Sequence, residues 1–161
     1  MALQLRERLL QCENCTFQSE ITADYGDQLH RFVVDCRGDS EGNIYFTVLE
    51  PESICGITGE IHASGGRLTF DGTALGFPLM ADGMLSPVSA PWVMLKSLRS
   101  GYLAACGQEN DGHRLTLQDS YEEDALQLDI WTDLQGVPNF AEILWQGRRI
   151  LSLKIDNFVM L

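Results

Sequence analysis

Residues 15–37, "CTFQSEITADYGDQLHRFVVDCR", decide the fold. Phe17, Ser19, Ile21 and Ala23 alternate with Thr16, Gln18, Glu20 and Thr22. This period of two, less polar against more polar, predicts a strand with one buried face. "YGDQ" (25–28) is a tight-turn signal, and residues 28–37 return as a second strand. Two registers are open. A hairpin folded about Tyr25–Gly26 sets Cys15 directly opposite Cys36, and one centred on Gly26–Asp27 sets Phe17 there instead. The first brings the two thiols within reach of a cross-strand disulfide in an oxidising compartment.

Outward from this hairpin the pattern continues. Residues 2–12 carry Leu3, Leu5, Leu9 and Leu10 among good helix formers and predict a short amphipathic helix. On the other side, residues 43–50 form a third strand that Pro51 stops. "PESICGITG" suggests a short helical turn before strands at Ile57–Ala63 and Leu68–Leu75, with Gly72 as a bulge. Ser89–Cys106, "SAPWVMLKSLRSGYLAAC", is expected to be helical. Trp92, Leu95, Leu98 and Tyr102 recur along it at helical spacing. Gly101 kinks or frays its end, or Gly107 terminates it. Strands at His113–Asp119, Ala125–Asp133, Asn139–Gln146 and Arg149–Phe158 close the chain. About eight or nine antiparallel strands with two helices make an α+β fold, and 161 residues suit a single domain spanning 1–161.

The formal net charge is −12, with acids spread along the chain, so nucleic acid and anionic lipid surfaces are not expected partners. Cys12 and Cys15 form a C-x-x-C, but a helix precedes it and a strand follows, the reverse of a thioredoxin-like motif. The other cysteines and His30, His62 and His113 are scattered singly, so no zinc site is expected. Among nucleophile, phosphate-loop and EF-hand patterns nothing matches; "DSYEED" (119–124) reads as a solvated hairpin tip. No catalytic residues and no cofactor are expected.

No apolar run is long enough to span a bilayer. "MALQLRERLL" is broken by Arg6, Glu7 and Arg8 and is not an intact signal peptide, and "LLQC" lacks the small residue of a lipobox before its cysteine. The expected location is extracytoplasmic, membrane-anchored through a segment upstream of Met1, or otherwise cytoplasmic.

The element order is a helix, a meander opening "TFQSEITADYGDQLHRFVVDC", a strand ending in "EPESICGITG", a Pro-rich helical insertion and closing hairpins. This resembles the LolA/LolB-like lipoprotein-carrier superfamily, most of all its small bacterial lipoproteins, over roughly Leu3–Phe158. The resemblance implies a strongly curved, unclosed antiparallel half-barrel, with an N-terminal helix and a mid-chain helix as a lid. It implies a lipid or other apolar ligand between sheet and lid. The residues expected to hold it are Trp92, Leu95, Leu98 and Tyr102 on the lid, Met80 and Met84 on its rim, and Phe46, Val48 and Phe70 on the floor. The alternative is a protein-interaction or scaffold domain whose helix fills its own half-barrel.

Overall fold

In a computed structural model, the described residues are 1–63, 67–70, 80–83 and 85–161, with the backbone alone for 67–70. The chain begins with α1 (Ala2–Gln11) and then runs β1 (Asn14–Asp24), β2 (Leu29–Asp39), β3 (Ile44–Glu50), β4 (Thr58–His62) and β5 (Arg67–Phe70). After α2 (Ala90–Ser100) come β6 (Tyr102–Glu109), β7 (Gly112–Gln118), β8 (Leu126–Asp133), β9 (Pro138–Trp145) and β10 (Arg148–Met160).

Among the described residues these strands form one antiparallel sheet in the order β5-β4-β3-β2-β1-β10-β9-β8-β7-β6. Two five-stranded meanders thus join through the first and last strands. Along β1, Cys15, Phe17, Ser19, Ile21 and Ala23 are all buried and the residues between them are half-buried, as the alternation predicts. The turn at Tyr25–Gln28 closes with Tyr25 N–H donating to Gln28 O, and Gly26 takes a φ of +91°. At Gln146–Gly147 both residues have positive φ, the requirement of a two-residue turn matched to strand twist.

The sheet is open, because β5 and β6 end it at opposite edges, and it is strongly curved. α2 touches both β2 and β7, five positions apart in the sheet order. A flat sheet would separate those strands by roughly 24 Å, about twice a helix diameter, so the sheet wraps around the helix. The core lies on this concave face. There α1 contributes Leu5 and Leu9, and α2 contributes Met94, Leu95 and Leu98.

Two expectations are corrected. The first hairpin adopts the second register, with Phe17 opposite Cys36 and Cys15 opposite Gly38. Cys15 and Cys36 are therefore diagonal neighbours on one face, and both are free thiols. A four-residue turn that hydrogen-bonds Tyr25 to Gln28 sets that register. Next, the mid-chain helix stops at Ser100. A Cβ at Gly101 would lie 2.6 Å from the carbonyl oxygen of Ser97, so glycine alone fits where helix passes straight into strand. Tyr102–Cys106 consequently belongs to β6, which raises the strand count to ten. Of the strand expected at Leu68–Leu75, residues 67–70 form β5, and the remainder, with the bulge at Gly72, lies outside the described residues.

On β3 and β4, Phe46 sits opposite Gly59, and a Cβ at Gly59 would run into the Phe46 ring. We expect Gly59→Val to push that ring off its site and to destabilise the domain by about 1–3 kcal/mol, read as a lowered urea midpoint at unchanged slope.

Candidate functional site

α2 buries seven of its eleven residues, Ala90, Pro91, Val93, Met94, Leu95, Ser97 and Leu98. The unbroken apolar run Ala90–Leu95 explains this, because a helix apolar on most sides is enclosed on most sides. Pro91 is tolerated in the first turn, where its missing N–H has no partner to lose.

Two arginines hold α2 down. Arg6 of α1 donates from Nε to Leu98 O at 2.7 Å, and from Nη2 to Gly101 O at 2.6 Å and Ser97 O at 3.4 Å. It thereby caps the C-terminal carbonyls, where a cation also complements the helix dipole. Arg99 donates to Asp39 O at 3.0 Å, Leu9 O at 3.2 Å and Ser40 O at 3.2 Å, tying α2 to the β2–β3 turn and to α1. That turn is itself built on the Asp39 carboxylate. Burial works to raise its pKa, but hydrogen bonds from Asn43 and from the Glu41 N–H outweigh it and hold the group below the usual aspartate value.

The residues expected to bind ligand fall into three groups. Leu95, Leu98, Met80, Phe46 and Val48 are buried in a single contiguous core, where they meet each other and the sheet. Trp92 is half-buried and lines a cleft of about 260 Å³ between α2 and the β7–β8 loop, with Leu85, Val93 and Leu126 as its apolar wall. Lys96, Asp119 and Asp124 form its charged rim, and the Lys96 ammonium lies 5.1 Å from the Trp92 ring centre. The volume falls short of the roughly 300 Å³ at which small-molecule pockets usually begin. Tyr102 is on neither lid nor cleft: it stands exposed on β6, its ring centre 3.8 Å from that of Tyr121. Met84 and the Phe70 side chain lie outside the described residues.

The histidines sit on three separate strands. His62 Nε2 meets Glu60 Oε2 at 2.9 Å on the partly exposed side chains of β4. Cys15 is pushed up to about 11, chiefly by burial, and burial likewise raises Cys36 well above the ordinary thiol range. "CENC" is a helix-to-strand corner, with Cys12 ending α1 and its Sγ–H donating to Leu9 O.

No family model and no curated protein matches the sequence. Solved structures do. An uncharacterised conserved protein from Thermus thermophilus aligns over 99% of this chain and 87% of its own, at 12% identity and a TM-score of 0.48. A LolA superfamily protein from Nitrosomonas europaea aligns over 99% and 93%, at 10% identity and 0.44. The MucA/MucB complex structure of Pseudomonas aeruginosa aligns over 98% and 56%, at 13% identity and 0.41. Among the described residues the architecture is an unclosed antiparallel sheet carrying two α-helices. Among the described residues no helix is long and apolar enough to cross a membrane.

Sequence reasoning missed the strand beside Tyr102. All eight residues of β6 are exposed, on both faces of the sheet edge. Of the nine large hydrophobic side chains exposed among the described residues, four gather here: Tyr102 stacks on Tyr121, and Leu3 shares a small hollow with Leu103. "YLAAC" carries little strand signal beyond Tyr102, because alanine and leucine favour helices and no β-branched residue is present.

Two outcomes are expected. Arg6→Ala should cost about 1.5–3 kcal/mol of stability, because α2's last carbonyls lose a charged donor; equal denaturation midpoints for variant and parent would refute the cap. With iodoacetamide at neutral pH, Cys55 and Cys106 should alkylate first, and Cys15 and Cys36 only after unfolding, as peptide mass mapping would show.

Proposed function

We propose that this chain is a non-enzymatic protein-binding domain whose helices fill its own half-barrel and whose contact surface is the β6 edge. One observation carries the reading. The concave face, where an apolar ligand would lie, is occupied by the chain's own side chains, while the apolar surface left in water is concentrated on β6 and its neighbours. Exposed apolar patches of this kind mark interaction sites, and tyrosines are over-represented among residues that dominate binding. The acidic surface supports a protein partner over a polyanion or an anionic membrane. An extracytoplasmic location, implied by the family resemblance, goes with this proposal.

Native mass spectrometry of the intact chain after bacterial expression separates this function from lipid carriage. A clean mass without co-purifying lipid, together with no uptake of a fluorescent fatty acid, is the expected result. A lipid adduct that disappears in Leu95→Asp but persists in Tyr121→Ser would overturn it and place the ligand under α2.

A further inference from the structure

We propose that β6 accepts an extended segment of another protein as an eleventh strand, apolar at its centre and basic at both ends. This rests on the protein-binding reading and adds the partner's conformation and charge.

An edge strand presents a row of backbone N–H and C=O groups that a further strand can pair. Proteins usually guard such edges with short strands, proline, lysine or bulges. At the opposite edge β5 is only four residues long. β6 has eight residues, no proline and no lysine, and its single charge, Glu109, lies at one end. Its one irregularity is the bulge at Leu103/Ala105 against β7. Ala104, Ala105 and Gly107 leave the backbone open to close approach, and all eight residues of the strand stay exposed beside the other described elements.

Charge selects the occupant. One end of β6 turns through Asn110 and Asp111 beside Glu109, and the other abuts the 119–124 loop with Glu122, Glu123 and Asp124. Arg114, on the adjoining β7, is committed to Asp129 at 2.7 Å, with Glu109 at 3.9 Å. Glu109 also accepts from Trp131 Nε1. Pairing β6 with β6 of a second copy about a two-fold axis would run the strands antiparallel. The acidic 109–111 turn of one copy would then meet the acidic loop of the other, between chains that each carry −12. A segment with lysine or arginine at both ends meets no such repulsion and gains attraction at each end.

The test is selection from a displayed library of random peptides, each about twelve residues long to span a strand of this length. It is run on the intact chain and counter-screened on Ala105→Lys/Cys106→Lys, substituted at two exposed positions, once circular dichroism has matched the variant's fold to the parent's. Winning peptides should alternate apolar residues, carry Lys or Arg at both ends, and weaken at least about tenfold on the double variant. N-methylation at alternate residues should abolish binding in one phase and spare it in the other, because successive amides of a strand point to opposite sides. Peptides that lose binding on the variant yet tolerate both methylation phases would overturn strand addition and leave the protein-binding reading standing. If no selected peptide depends on Ala105 and Cys106, both fall. A concentration-dependent dimer in sedimentation, lost in the variant, would assign the edge to a second copy and overturn the proposal.

Discussion

The pairing of β1 with β10 leaves β5 and β6 at opposite edges of one sheet, so the chain between them has to traverse it. The concave face is the shorter route and the one with apolar surface to cover. α2, with the turn Pro87–Ser89 before it, is a described part of that crossing that meets the sheet, and its position follows from topology before any side chain is considered. The arginines then fix it in place. Arg6 satisfies carbonyls that a helix ending directly in a strand would leave orphaned, and Arg99 reaches three carbonyls on two other elements. Both act on backbone acceptors, and two of those that Arg99 reaches belong to the turn organised by the Asp39 carboxylate.

Much of the sheet was legible in the sequence because period-two alternation is a local signal. Phe17, Ser19, Ile21 and Ala23 declare a buried face without reference to a partner. Register is different. It depends on whether the turn centres on Tyr25–Gly26 or Gly26–Asp27, and "YGDQ" suits both, so a two-residue shift, which keeps the same residues buried, still moved Cys36 from Cys15 to Phe17. β6 failed for another reason. Trp92, Leu95 and Leu98 keep helical spacing because they lie on α2, while Tyr102 extends it by coincidence, and Gly101 marks the break, where an added Cβ would meet Ser97 O. The pairing of Tyr102–Glu109 with β7 overrides the helix propensity of its alanines, as tertiary contacts often do.

The same misplaced boundary explains why the candidate site divided. A stripe of four residues on one long helix looks like a lid. Once Tyr102 passes to the sheet edge, Leu95 and Leu98 are left as core and Trp92 alone remains at an opening. What the sequence presented as one apolar surface is two: one satisfied internally, and one facing water on β6.

That division bears on energetics. Val93, Met94, Leu95 and Leu98 are each almost wholly buried, and together they contribute roughly 6–12 kcal/mol of hydrophobic stabilisation. An acyl chain that displaced α2 would have to replace this with its own burial. At about 0.8 kcal/mol per methylene, roughly eight to fifteen methylenes serve only to break even. The helix would meanwhile carry its apolar sides into water and lose the hydrogen bonds from Arg6 and Arg99. Strand addition at β6 faces no such exchange. The edge is already exposed, the partner displaces only water, and the ordering cost falls on the incoming segment rather than on the domain. Of the two apolar surfaces, the one on β6 can therefore bind without first undoing the fold.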